Sequence, residues 1–345
     1  SLLSMLVLGA VTFKSASELL REVSERQLNA LAESKQRDLE KVIEGWQDRI
    51  LLIRSRTRLR ELLARSARAR EDLVTEEMRA ILEDAVGSVA SFDRITLFDV
   101  EGDAVVSVGS QELPIGLDRT VFERPTEILY GGVSVLGSDR VGIRFYSAMQ
   151  LDDLTVGAVE AVIDAEDLLS VTQDFTGLGE SGETLVVVRD GEESALVLTP
   201  LRHDPLLRHL ILETTPCAGP ALRGQEDLFR ERVTDYRGAE VWCATRGLAS
   251  VGWGLIVKID SAEESRRADA LLEQMIDLGL ALGALAILGG TILGFRLGQG
   301  LWDLKEVVER IRAGETSARA DPTRPDEVGF LGAALNDLLD EHQKD

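Results

Sequence analysis

Residues 182–200 read GETLVVVRDGEESALVLTP. Two β-rich runs flank Asp190-Gly191, a dipeptide suited to a tight chain reversal, so the stretch is a hairpin. Downstream, TDYRGAEVWCATRGL (234–248) and GWGLIVKID (252–260) are runs of the same kind and extend the hairpin to a meander. A helical or irregular part fills residues 204–230. Upstream, RITLFDVEGDAVVSVG (94–109) repeats the pattern, turning around Glu101-Gly102-Asp103. A broken stretch with Pro114, Gly116 and Pro125 follows. Further strands are expected at Gly132–Leu136, Val141–Met149 and Thr155–Val162, with turns at Gly137-Ser138-Asp139 and Asp152-Asp153. Asp164 is the expected N-cap of a helix whose first turn is acidic. The fold class is α+β: two tandem antiparallel-sheet units, residues 71–163 and 164–265, related by element order rather than by identity.

Helices precede the sheets. Residues 17–70 are almost free of Gly and Pro. Leu39, Val42, Trp46, Ile50 and Ile53 step by three or four and draw one apolar stripe. A single stalk helix is expected from Ser17 to about Arg65, roughly 70 Å long at 1.5 Å per residue. A second helix is expected over Thr75–Ser91, with Thr75 as N-cap and Met78, Ile81, Leu82 and Ala85 on one face.

Charge is unevenly spread. The 345 residues hold 38 Lys+Arg and 60 Asp+Glu, a net charge of −22, which argues against nucleic acid as a partner. From Leu278 to Phe295 the chain reads LGLALGALAILGGTILGF without a charge. With its flanks (276–297) it is long enough to cross a bilayer, and its glycines suit a membrane helix better than a soluble one. Residues 1–13 are also uncharged. Residues 1–16 read as the end of a first membrane helix that starts upstream. Two spans place 14–277 on one side and 298–345 on the other, and Arg296 favours a cytoplasmic tail.

The tail, residues 298–345, reads as helix, connector, helix. Leu301, Leu304, Val307, Val308 and Ile311 line the first helix, which Ala313-Gly314 ends. The connector ARADPTRP carries two prolines, and Asp326 is placed to cap a second helix with Val328, Leu331, Leu335, Leu338 and Leu339 on one side. Two such short helices need partners for their stripes, and a parallel homodimer supplies them.

Two resemblances attach to these strings. FTGLGESGETLVVVRDGE, LTPLRHDP, DYRGAEVWCATR and GWGLIVKID resemble the membrane-proximal module of double Cache sensor domains in bacterial transmembrane receptors. That family carries two PAS-like modules on a long N-terminal helix. The tail resembles the HAMP linker: Asp326-Glu327-Val328-Gly329 with Leu331 and Asn336 fits its DExG…L…N string, and Gly314-Glu315 fits its Gly-acid position. These are the expected relay residues. The family's proline near the start of the first helix is replaced here by Gly300-Leu301. The resemblance implies a receptor in the bacterial inner membrane, sensing a small molecule outside and passing a conformational change through HAMP. It also implies an output domain beyond residue 345 acting on cytoplasmic signalling partners. A histidine kinase is the first expectation, a chemoreceptor or diguanylate cyclase the alternative.

No catalytic constellation stands out, and no metal or cofactor is expected. GLGESG at 177–182 lacks the lysine of a phosphate loop and reads as a turn. His203 reads as a local hydrogen-bond fixture, and Tyr236, Trp242 and Trp253 as core. Cys217 and Cys243 are expected as separate thiols, a bridge between them being the alternative in an oxidising compartment. Arg119, Arg124, Arg140 and Arg144 crowd an otherwise acidic region. Arg144, Tyr146 and Ala148 alternate along one strand and share a face. Arg124, Arg144 and Tyr146 are the candidate ligand residues, for a small polar or anionic molecule such as a carboxylate.

Overall fold

The computed structural model describes residues 2–66, 72–88, 91–110, 116–136, 140–230, 233–323 and 326–342. It is α+β, and the chain divides into one unit ending at Ala268 and another beginning at Asp269.

Helix α1 runs from Leu2 to Arg54. Its buried side chains Leu28, Ala32, Leu39, Ile43, Trp46, Ile50 and Ile53 continue one stripe, with Val42 at its edge. The expected single stalk is broken at Ser55–Arg56, and α2 follows over Thr57–Ser66. The break has local support. Arg60 donates to the Ser55 carbonyl (3.1 Å), an acceptor that a continuous helix would use itself, and to Thr57 Oγ1 (3.0 Å). The change of direction buries Leu59, Leu62 and Leu63. Helix α3 spans Asp72–Ser88, so Thr75 lies inside it and not at its cap. The start moves upstream because Asp72 puts a carboxylate in the first turn and Val74 joins the buried face with Met78, Leu82 and Ala85.

The first sheet contains β1 (Phe92–Phe98), β2 (Ala104–Gly109), β3 (Ile128–Leu136), β4 (Arg140–Leu151) and β5 (Leu154–Asp164), in the order β2-β1-β5-β4-β3. A single turn of helix, α4 (Thr120–Glu123), interrupts the β2–β3 connection. The β4–β5 turn places Asp152 and Asp153 at φ 49° and 62°, the left-handed pair that a two-residue hairpin requires. The expected turn at residues 137–139 lies outside the described residues. Asp164 caps a 3-10 turn (Ala165–Leu168) by accepting from the Glu166 N–H, and α5 (Leu169–Thr172) follows.

The second sheet contains β6 (Glu183–Asp190), β7 (Ser194–Val197), β8 (His209–Ile211), β9 (Leu228–Phe229), β10 (Val241–Leu248) and β11 (Trp253–Asp260). Helix α6 (Ala218–Leu222) lies between β8 and β9. The order β8-β7-β6-β11-β10-β9 is that of the first sheet with one strand added at an edge. Two further helices complete the chain: α7 (Ser261–Arg312) and α8 (Glu327–His342).

Both sheets press one face on α1. Ile143, Phe145 and Val159 of the first sheet and Val186, Trp253 and Leu255 of the second belong to the same buried cluster as the α1 stripe. Trp46 packs against Phe145 and Trp253, ring centroids 6.4 Å apart in each case. The helix is also pinned to the link between the sheets. The Trp46 indole N–H donates to Asp167 (2.9 Å), and buried Lys35 donates to the Val171 carbonyl (3.0 Å) and to Asp174 Oδ2 (2.8 Å). The hydrogen bond from Lys35, followed by that from the Thr176 hydroxyl, lowers the Asp174 pKa to about 2.

Cys217 and Cys243 form a disulfide, which corrects the expectation of separate thiols. Their Cα atoms stand 6.8 Å apart, because Cys217 opens α6 and α6 packs over β10. The sequence reads as helical or irregular over 204–230, which left the bridge as the alternative because no periodic element fixes where Cys217 lies.

Candidate functional site

Side chains alternate across a strand, so the first sheet has a second face pointing away from α1. Pairing puts Arg94, Val162 and Arg144 in one row across β1, β5 and β4, and Thr96, Glu160 and Tyr146 in the next. Apolar residues cover part of this face: Val121 and Phe122 of α4, with Leu117 and Leu129, pack around Tyr146, Ala148 and Ala158.

Under that cover lie two buried charges. Glu160 is fully buried and Arg94 is 4% exposed, and their Nη2–Oε2 distance is 3.4 Å. Arg144 Nη1 donates to the Tyr146 hydroxyl at 3.5 Å. Burial first, and then the Glu160 carboxylate, push the Tyr146 phenol up to about 12, with Arg144 opposing. Glu160 Oε1 and Arg144 Nε are buried without a hydrogen-bond partner among the described residues. Such atoms are uncommon in a folded protein and mark a place where function or a bound group is worth seeking. The adjacent strand makes room. A Cβ on Gly131 would lie 2.1 Å from the Tyr146 ring, and Gly132 takes φ +96° beside the Arg144 guanidinium.

The structure thus brings Arg144 and Tyr146 together. It places Arg124 elsewhere, at the end of α4, exposed and paired with Glu127 at 3.6 Å. Sequence reasoning missed Arg94 and Glu160. The signal was present: Glu160 is a lone acid inside the apolar run TVGAVEAVI, and Arg94 shares its parity with Thr96.

The matching face of the second sheet is an apolar core with its own paired ions at one end. Buried Lys258 bonds Glu183 (3.0 Å) and Asp235, and the Tyr236 hydroxyl donates to Glu183 Oε2 (3.0 Å). Arg237 bridges Asp235 and Asp260. Burial, with the Glu183 charge, raises the Tyr236 pKa strongly. His203 contacts the Ser181 carbonyl at 3.0 Å, a local fixture as expected. Trp242 and Trp253 are buried, and Tyr236 packs on the core of the second sheet.

In the second unit, α7 is the one helix among the described residues that is long and apolar enough to cross a membrane. Its most apolar window has a mean hydropathy of 2.1 and is not buried. The matching expectation for residues 1–16 rests largely on side chains outside the described ones. Near the C-terminus, Gly314 adopts φ +98° and ends α7. Asp326 caps α8 by accepting from the Gly329 N–H (2.9 Å). Asn336 clips the connector, accepting from the Ala320 N–H and donating to the Ala320 carbonyl, both at 2.8 Å. Gly332 leaves room for Ala320, whose Cβ would be 3.1 Å from an added Cβ. Leu331 is 56% exposed on this single chain.

Residues 293–341 match the HAMP domain family. The HAMP match covers the helix–connector–helix and the caps just described. No curated protein matches this sequence. Among solved structures, the fold is similar to the sensory domain of the Campylobacter jejuni chemoreceptor Tlp3 with isoleucine bound. Identity is 13%, coverage 72% of this chain and 97% of that one, and the TM-score 0.50. The extracellular domain of a protein described as a histidine kinase aligns at 13% identity over 73% of this chain and 98% of its own, TM-score 0.48. The ligand-binding domain of Pseudomonas fluorescens CtaA with L-isoleucine aligns at 17% identity over 72% and 98%, TM-score 0.48. One chain thus joins a fold similar to that of a receptor sensory domain, a helix long and apolar enough to cross a membrane, and a HAMP domain.

Proposed function

We propose that the outer face of the first sheet binds a small carboxylate that carries its own hydrogen-bond donor. One observation carries the reading: an Arg94–Glu160–Tyr146 cluster, buried and flanked by half-buried Arg144, in which Glu160 Oε1 and Arg144 Nε have no partner among the described residues. A carboxylate matches the guanidinium and a donor matches Glu160. An amino acid has both groups, and isoleucine is bound in the Tlp3 domain of similar fold. Arg124, exposed and paired with Glu127, stands outside this cluster.

The rest of the reading concerns the assembly. The chain crosses the bilayer twice, residues 14–277 lie outside the cytoplasm, and two copies associate in parallel through stalk, span and HAMP. Exposed Leu301, Leu331 and Leu338 support this, being the stripe that a partner copy would cover. Gly314, Asp326, Glu327, Gly329, Leu331 and Asn336 are the relay residues, and a histidine kinase is the favoured output.

The test is a thermal-shift screen of amino acids and small carboxylates on the whole chain, followed by calorimetry. Loss of a buried charge-assisted contact costs about 2–5 kcal/mol, so Arg144→Ala and Glu160→Gln should each weaken binding about 30-fold or more. Wild-type affinity in both variants would move the site elsewhere.

A further inference from the structure

GLGESG at 177–182 reads as a turn, yet its backbone binds an anion, and the anion is the chain's own. Glu263, in the first turn of α7, points its carboxylate into the loop. The Glu180 N–H donates to Oε1 at 3.0 Å, the Ser181 N–H to Oε2 at 2.9 Å, and the Ser181 hydroxyl to Oε2 at 2.5 Å. The same hydroxyl accepts from the Asp260 N–H at 3.1 Å, where β11 gives way to α7. Successive N–H groups converging on one anion form a nest, and bonds to a charged acceptor are the stronger kind.

The loop is shaped for this contact. Gly179 takes φ +65°, and a Cβ there would lie 2.1 Å from Glu263 Oε1. Its carbonyls are held from elsewhere: Arg202 donates to the carbonyls of Gly179 (3.3 Å) and Gly182 (2.6 Å), and His203 contacts that of Ser181. With these carbonyls engaged there, the Glu180 and Ser181 N–H groups are left to Glu263. The strand side of the junction is tied as well, because Arg237 bridges Asp235 and Asp260. The second sheet therefore grips the start of the helix that continues through the apolar segment into the HAMP residues.

We propose that loop 177–182 is a latch on this output helix: holding Glu263 ties the first turn of α7 to the second sheet, and releasing it lets α7 move. The proposal rests on α7 carrying the signal to HAMP and is independent of which ligand binds the first sheet.

The experiment uses the whole chain in lipid nanodiscs without added ligand. Glu263→Gln removes the charge, and Gly179→Ala evicts the carboxylate sterically while leaving it charged. Ser181→Ala removes one donor to Glu263, together with the acceptor of the Asp260 N–H, and serves if either of the others fails to fold. Two readouts are taken. Amide exchange at Glu180 and Ser181 should quicken about ten- to a hundredfold, as expected for losing a bond to a charged group. A cysteine replacing Leu301 should change its labelling rate about fivefold or more, the lower end of coupling between distant sites. Both native cysteines are in the disulfide, so that thiol is labelled alone. Glu264→Gln, one residue on, should leave both readouts at wild-type values. Combining Glu263→Gln with Gly179→Ala should add nothing to either alone, since both break one contact. Faster local exchange with unchanged labelling at position 301 would make the contact a local fastening and discard the latch, as would unchanged exchange.

Discussion

Gly131 and Tyr146 form a lock across β3 and β4. Gly131→Ala should cost about 1–3 kcal/mol, the usual penalty of overpacking, and should displace the Tyr146 ring; urea unfolding measures the first and ligand affinity the second. The chain has three tyrosines, and all three phenols are raised by burial, Tyr146 to about 12. Alkaline titration in the near ultraviolet should therefore show no phenolate near pH 10, the ordinary value, but a late and abrupt rise with unfolding. A single tyrosine ionising at its ordinary value would contradict the buried cluster. At the acid end, Asp174 has a lowered pKa, so its contribution is present above its unfolded value and is lost as pH falls through about 2. Asp174→Asn should lower the melting temperature at neutral pH, and the gap should close between about pH 4 and pH 2. At this scale the sequence was half legible. Strand parity paired Arg144 with Tyr146, but Arg94 and Glu160 join them only through cross-strand register, which no local pattern states.

Among the elements, the disulfide joins α6 to the second sheet over a separation of 26 residues. Replacing both cysteines by serine should cost roughly 2–4 kcal/mol, by the loop-entropy argument, and read out as a lower denaturation midpoint. Reduction of the wild type should do the same, while reduction of the variant should do nothing. The strands were readable because each alternates or runs apolar between turn residues. The break at Ser55–Arg56 was not, because the apolar stripe passes through it and its cause is Arg60, whose guanidinium takes up the freed carbonyl. The added strand β8 and the short β9 were hidden for a similar reason: with three and two residues, they have no period to read.

For the whole molecule, the predicted topology is checked by a cysteine at Glu192 in intact cells. Label applied from outside should reach it; reaction only after lysis would reverse the orientation. Single cysteines at Val307 or Leu335 should crosslink into symmetric dimers, and a monomer in both detergent and bilayer would refute the association. The apolar segment of α7 was legible from composition alone. Packing of α1 on the sensor was expected from its stripe; what no pattern showed is that the one stripe is the wall of both cores. Its stripe from Leu28 to Ile53 buries side chains of the two sheets at once.

That shared wall bears on how such receptors can be recombined. A graft that cuts between the sheets near Asp164 would give each recipient half a core and an uncovered helix. A viable exchange must carry the α1 stripe together with both sheets and rejoin within α7. The unit of inheritance, and of engineering, is then the pair of sheets with their common helix, so on the proposed site a change in what is sensed would come from altering the Arg94–Glu160 face in place rather than from trading one sheet for another.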